Sequence, residues 1–370
     1  MTQEGAGAVT ANDLRPPRFE DVVAARALIG RYLRKTPLIA APALSELLGC
    51  DYYLKAEIFQ PTGAFKVRGG INFMGTLTEK EKRREFVSAS AGNHGQSLAY
   101  GARLFGAQMI IYMPAENPNR YKLEAIRKMG AEVRTHGRDT EEAVLEAQRV
   151  ARDEGLRYVH HANEPKLIAG VGTMALEIFE DLPDVEVLIV PVGAGSSACG
   201  NGIVARNFNP RVKLIGVQSE QAPGVWHAWK EGHLRPHRVL NTEHEGIGTR
   251  VPPELTTPLL RELLADFVLV SYEEINDAIV LLAESAKLVT EGAGAAPLAG
   301  AMKMREELRG KKVVGILSGG NLPLERFARV VSRGEKRETG SSKPIHGHTG
   351  EECVARRGEM SARDSSLRSE

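Results

Sequence analysis

Lys66 stands in Gln60–Gly70, QPTGAFKVRGG, between a Pro-Thr-Gly turn and a glycine pair, with apolar Phe65 and Val67 on either side. A lysine amine in a tight, partly apolar pocket is pushed toward its neutral form, and a neutral amine can form a Schiff base with a carbonyl. The same residues also suit a plain helix start after a turn. Ser88–Gln96, SASAGNHGQ, carries a second kind of chemistry. Small residues at a strand end, followed by a helix, leave backbone N–H groups pointing at whatever anion binds, such as a carboxylate. Asn93 and His94 add side-chain hydrogen bonds there, and Asn93 also suits an ordinary helix cap.

Val192–Gly202, VGAGSSACGNG, directly follows the most apolar strand candidate. Gly193, Gly195 and Gly200 let the backbone approach a ligand, and the next helix presents its N-terminus, which together make a phosphate cradle. The segment also fits a dinucleotide fingerprint, Gly193-x-Gly195-x-x-Ala198, with Glu220 placed after the next strand as a ribose-binding acid. Leu317–Pro323, LSGGNLP, follows another apolar strand. Ser318 is expected at the strand's carboxyl end, where open α/β sheets bind ligands. Its hydroxyl can meet a ring nitrogen without carrying charge, although a plain Gly-Gly turn explains the segment as well.

The elements that must position these residues alternate between strand and helix. Strands are expected at Tyr52–Ala56, Phe86–Ala89, Met109–Met113, Val133–Thr135, Tyr158–His160, Val185–Val192, Lys213–Gln218, Phe267–Val270 and Val313–Leu317. Most are short and rich in branched residues, as buried parallel strands are. Amphipathic helices lie between them. Thr140–Glu154 places Val144, Ala147, Val150 and Ala151 on one face. Another helix opens at Ser271 with Glu274 three residues on, a capping-box pattern. The order predicts an α/β protein with open, mostly parallel sheets flanked by helices.

Composition narrows the function. The 370 residues hold 48 Lys+Arg against 47 Asp+Glu, so no dominant basic field marks a nucleic-acid binder. Aromatic residues are only 5 %, which disfavours base-stacking platforms. Cys50, Cys199 and Cys353 are far apart, so neither a disulfide framework nor a zinc pair is implied. The first twenty residues lack an apolar signal core, and no apolar run is long enough to cross a bilayer. A cytoplasmic protein is expected. Residues 1–17 read as a loose arm and 333–370 as a polar, disordered tail, in which His346 and His348 are bystanders rather than a metal pair.

The four motifs in this order resemble the fold-type II pyridoxal-phosphate enzymes, which share the tryptophan synthase beta-like fold, and within them the threonine/serine dehydratase and serine racemase branch. The resemblance runs from about Arg18 to about Val331. It sets aside the dinucleotide reading, which explains only the third motif. It implies that Lys66 holds the cofactor covalently and then acts as the base on the α-proton, with Phe65 packed beside it. Asn93 would meet the phenolic oxygen of the cofactor ring, and Ser318 its pyridine nitrogen. Gly193, Ala194, Gly195, Ser196 and Ser197 would cradle the phosphate. Ser90, Ala91, Gly92, Asn93 and His94 would surround the substrate carboxylate. Glu291, in TEGAGAAPLAG, resembles the family's glutamate near the ring. The resemblance further implies two domains, a large one from 18–80 plus 160–331 and a small inserted one at 81–159. A homodimer, a small amino-acid substrate, and no nucleic-acid or membrane partner complete the expectation.

The implied reaction is β-elimination of water from threonine or serine, giving a 2-oxo acid and ammonia. Three alternatives stay open: another β-hydroxy amino acid such as 3-hydroxyaspartate or a hydroxyectoine-derived one, serine racemisation, and a non-catalytic cofactor-binding protein. Ala91 stands where serine racemases of the branch commonly carry an acid/base serine, which disfavours racemisation. Ala194 and Ser196 replace glycines frequent in the phosphate loop. Glu220 matches a cation-binding glutamate of some relatives, but Trp226 stands at the matching aspartate position, so no metal site is expected. No regulatory domain is expected after the catalytic one. Arg120, Arg250 and His244 are candidates for a second substrate carboxylate, with surface charge the commoner explanation of each.

Overall fold

A computed structural model describes residues 14–90, 92–116, 120–237 and 244–340, with the side chains of residues 120, 245 and 333–340 outside that description. Its strands are β1 (Leu38–Ala40), β2 (Asp51–Ala56), β3 (Phe86–Ala89), β4 (Met109–Met113), β5 (Glu132–Thr135), β6 (Arg157–Tyr158), β7 (Val187–Pro191), β8 (Lys213–Ser219), β9 (Asp266–Val270) and β10 (Lys312–Leu317). They form two sheets. One has six strands in the order β1-β2-β10-β7-β8-β9, and the other has four in the order β5-β4-β3-β6. The pairings are parallel, apart from β1 against β2.

The sequence accounts for most of this. β4 and β7 are buried at every residue, which is why they read as continuous apolar runs. β1 escaped the sequence reading because its three residues are too few for a periodic signal, and it lies antiparallel on the sheet edge with Leu38 opposite Lys55. β6 stops at Tyr158 rather than His160. The His160 ring nitrogen Nδ1 accepts the N–H groups of Ala162 and Asn163, at 3.0 and 2.9 Å, and this turns the chain out of the ladder. The helix Thr140–Asp153 buries Ala143, Ala147, Val150 and Ala151, with Val144 packed at its side. Ser271 and Glu274 form the reciprocal cap of Tyr272–Leu281.

Chain order places a switch point in each sheet. From β3 the chain moves outward to β4 and β5, then returns to β6 on the other side of β3. From β7 it moves outward to β8 and β9, then returns to β10 on the other side of β7. Crevices form outside the carboxyl ends of strands at such points. The helices Lys66–Gly75 and Asn93–Phe105 cross close by, backbone against backbone. A Cβ on Gly101 would stand 2.5 Å from the Gly70 carbonyl, so only glycine allows this approach.

The compact body ends at Val330. The helix Leu324–Gly340 takes in residues 333–340 of the tail expected to be disordered, a correction to that expectation; the rest of the tail, 341–370, lies outside the described residues, as do residues 1–13 of the expected arm. Among the described residues, no helix is long and apolar enough to cross a membrane.

Candidate active site

Lys66 is the first residue of its helix, and the turn before it is tied to the loop after β10. The Phe65 N–H donates to the Ser318 carbonyl at 3.0 Å, and the Gly320 N–H donates to the Gly63 carbonyl at 2.8 Å. Ala64 and Gly319 form an isolated bridge between the two segments. The first and fourth motifs are therefore one structure. Ser318 is 1 % exposed within it.

The Lys66 amine reaches the third motif. Its Nζ donates to Ser196 Oγ at 2.7 Å and lies 5.1 Å from the centre of the Phe65 ring. Burial lowers its pKa from the ordinary 10.5 to about 8, so a neutral amine is accessible near physiological pH. Ser196 opens the helix Ser196–Phe208, and Gly195 precedes it with a φ of 89°. No side chain caps this helix, so its first-turn N–H groups face outward as anion donors. Ala194 and Gly193 hold the loop through their carbonyls, which accept from Thr256 Oγ1 at 2.6 Å and Gln218 Nε2 at 3.2 Å. Ser197 is turned inward, 3 % exposed, with its Oγ accepting from Asn201.

The second motif closes the arrangement. Ser97 Oγ donates to the Lys66 carbonyl at 2.6 Å. Asn93 Nδ2 donates to Glu291 Oε1 at 2.5 Å, and its Oδ1 accepts from Asn321 Nδ2 at 2.8 Å. Ser90 and Gly92 bond to each other, the Gly92 N–H donating to Ser90 Oγ at 3.1 Å, and neither is bonded to Lys66. Ala91 lies outside the described residues. His94 is 6 % exposed, and its Nε2 lies 3.1 Å from Ser88 Oγ. Ser88 spends its own proton on the Val159 carbonyl, so the imidazole is the donor and its Nδ1 carries the lone pair.

Three groups escaped the sequence reading. Asn321, inside LSGGN, bonds both Asn93 and the Thr62 carbonyl, at 2.8 and 2.9 Å. His160 and His161 stack at 4.4 Å, with His94 6.2 Å from His161. Burial, then the Lys66 charge, lowers the pKa of His160 to about 4. Burial, then the charges of Lys66 and His160, lowers that of His94 to about 3. The adjacent His-His pair at the end of the expected strand Tyr158–His160 is the signal that could have found it. The third group is a buried ionic cluster around Arg68, for which the sequence pattern offers no signal.

His244 corrects an expectation. It is no surface charge: it is 2 % exposed, its Nδ1 lies 2.9 Å from Arg326 Nη2, and its ring packs on Tyr272. A Cβ on Gly292 would collide with this ring, so His244 packs against the start of the helix Gly292–Lys303. Arg250 is exposed, and the Arg120 side chain lies outside the description. Glu220 is exposed, and Trp226 is anchored by its indole N–H to the Phe267 carbonyl at 2.9 Å. Among the described residues, no three His, Cys, Asp or Glu side chains gather as a metal site.

A depressed lysine amine beside uncapped helix N–H groups suits a small molecule that carries both a carbonyl and a phosphate. The comparisons agree. Residues 29–319 match the family model described as "Pyridoxal-phosphate dependent enzyme". An L-threonine ammonia-lyase of Thermotoga maritima is 40 % identical over 316 residues, covering 85 % of this chain and 78 % of the relative. A catabolic L-threonine dehydratase of Staphylococcus aureus is 37 % identical over 318 residues, covering 85 % and 92 %. The processed threonine deaminase isoform 2 of Solanum lycopersicum superposes with a TM-score of 0.80 at 28 % identity, covering 90 % of this chain and 96 % of that one. Maize serine racemase does so at 0.80 and 26 %, covering 88 % and 100 %. With the two open, mostly parallel sheets and the Lys66 site between their loops, the chain belongs to the pyridoxal-phosphate dependent enzymes of fold type II.

Proposed function

We propose that the chain is a threonine/serine ammonia-lyase, which removes water from a β-hydroxy amino acid and releases a 2-oxo acid and ammonia. L-Threonine gives 2-oxobutyrate and L-serine gives pyruvate. The observation that carries the reading is the Lys66 amine, lowered to about 8 and held 2.7 Å from Ser196 Oγ at an uncapped helix start. Pyridoxal phosphate supplies, when bound, an electron-withdrawing ring that acidifies the substrate's α C–H. The donor chemistry fits it. Lys66 would hold the carbonyl carbon, the N–H groups from Gly193 to Ser197 would hold the phosphate, Ser318 would meet the ring nitrogen, and Asn93 the phenolic oxygen. Glu291 orients Asn93.

Freed by the incoming substrate, the Lys66 amine takes the α-proton, a role its lowered basicity suits near neutral pH. The loop Ser90–His94 offers its N–H groups to the substrate carboxylate. The β-hydroxyl leaves as water, carrying off the proton that Lys66 took from the α-carbon, and a second water later releases ammonia, so the net reaction conserves water. Ala91 has no proton to give to the opposite face of the α-carbon, which favours elimination over racemisation. We further propose that the two sheets mark the two domains, 18–80 plus 160–331 and 81–159. The protein is a cytoplasmic homodimer in this reading.

The test is product assay with the cofactor-loaded protein on L-threonine, L-serine and threo-3-hydroxyaspartate. Rapid 2-oxobutyrate and ammonia from L-threonine, lost by about a thousandfold in Lys66→Ala, is expected. Oxo acid released by Lys66→Ala at the parent rate would overturn the lysine assignment. Turnover of hydroxyaspartate alone would overturn the substrate.

A further inference from the structure

Arg68 lies in the first turn of the Lys66 helix, two residues from the amine, and is fully buried. A second cation at the positive end of an uncapped helix is unfavourable on its own. Two carboxylates compensate it. Arg68 Nε and Nη2 donate to the two oxygens of Glu57, both at 2.8 Å. Nη1 and Nη2 donate to the two oxygens of Glu177, both at 2.8 Å. Thr173 Oγ1 accepts from Nη1 at 3.1 Å. Each guanidinium proton therefore has an acceptor.

The acceptors belong to other elements. Glu57 opens the turn after β2, and Glu177 and Thr173 lie on the helix Pro165–Asp181. Lys55, at 0 % exposure on β2, also donates to Glu177, at 2.6 Å. Three cations thus face the two carboxylates: Arg68 and Lys55 from within, and the partly exposed Arg26, whose Nη1 lies 3.5 Å from Glu177 Oε1. Planar, two-fronted pairing of a guanidinium fixes direction as well as charge, and a lysine cannot reproduce it. Arg68 also leaves Lys66 as the unneutralised cation of its turn.

We propose that Arg68 is a positioning residue for Lys66: its clamp on Glu57 and Glu177 fixes the first helical turn so that the amine stands against Ser196. Small displacements of a reacting group from remote changes cost up to about a hundredfold in rate. A merely structural ion pair would instead lower stability and leave the amine of the folded protein unchanged.

Lys55 supplies the control, because Lys55→Met removes the same charge from the same cluster without touching the Lys66 helix. The full-length protein, stripped of cofactor, is labelled with acetic anhydride across pH, and Lys66 acetylation is read by peptide mass spectrometry. Turnover of the loaded enzyme and thermal unfolding are measured beside it. In Arg68→Met the Lys66 midpoint is expected to rise by at least one pH unit as burial loosens, with turnover down about a hundredfold. Lys55→Met is expected to melt lower yet keep the midpoint and to hold turnover within about threefold. If Arg68→Met does not fold, Arg68→Lys carries the test, with about a tenfold loss and a smaller rise expected. An unmoved midpoint in the folded Arg68 variants, or an equal rise in Lys55→Met, would overturn the proposal. The labelling readout is independent of substrate, so an error in the proposed reaction shows as an inactive parent with the labelling difference intact.

Discussion

Asn93 donates to Glu291 at 2.5 Å across 198 residues of chain. Asn93 opens the helix after β3 in the four-stranded sheet, and Glu291 precedes the helix Gly292–Lys303 beside the six-stranded one. Asn321 holds the other end of the same amide. A side chain fixed at both its donor and acceptor ends has one orientation, and rigid orientation is what the proposed role of Asn93 beside the cofactor would require.

Glu291 is therefore expected to act through Asn93. Glu291→Ala frees the amide, and kcat/KM should fall about tenfold to a hundredfold with little change in melting temperature. Glu291→Gln keeps an acceptor oxygen and should recover most of the loss. Steady-state kinetics on the three proteins decides it, and equal losses in both variants would show that the charge, not the hydrogen bond, matters.

The Lys66 pKa makes a signed prediction for the cofactor-free chain. Its folded value, about 8, lies below the ordinary 10.5. Between those values the unfolded chain binds a proton that the folded chain refuses, so stability rises with pH across that window. Below about 8 both states are protonated and the penalty is complete, on the order of a few kcal/mol. Denaturant unfolding from pH 7.5 to 10.5 measures it. Lys66→Met should flatten the rise.

The histidines set the acid side. His160 and His94 titrate near 4 and 3 in the folded chain, against an ordinary 6.5. Unfolded histidines take up protons first, so stability is full above about 6.5 and is lost as pH falls toward 4. His160→Asn should reduce that slope, as read from urea unfolding at pH 7 and pH 4.5.

Gly195 is expected to be irreplaceable. Its φ of 89° is costly for any other residue, and a Cβ there would stand 2.8 Å from Leu260 Cδ1. Gly195→Ala should lose about 1–2 kcal/mol of stability from the backbone alone. Cofactor retention on dialysis should weaken as well, because the same turn aims the helix N–H groups.

Much of the fold was open to reading because its signals are local. Val187–Pro191 is an apolar run, Ser271 and Glu274 are a three-residue cap pattern, and Lys66 lies between turn and glycine signals. Each depends on neighbours within a few residues. β1 is the counterexample, since three residues carry no period and its place comes from pairing with β2.

By itself the sequence determined the alternation of strands and helices, the order of the four motifs, and the lysine, glycine and serine chemistry each offers. Tertiary structure alone decided which of them meet. The bonds of Asn93 to Glu291 and Asn321, of Lys66 to Ser196, and of Arg68 to Glu177 join residues 198, 228, 130 and 109 apart. Burial turned Lys66 toward its neutral form, burial with nearby positive charge did the same to the three histidines, and His244 became packing against Gly292 rather than a surface charge. Proximity and desolvation are properties of the packed chain, and no local pattern of residue types encodes either.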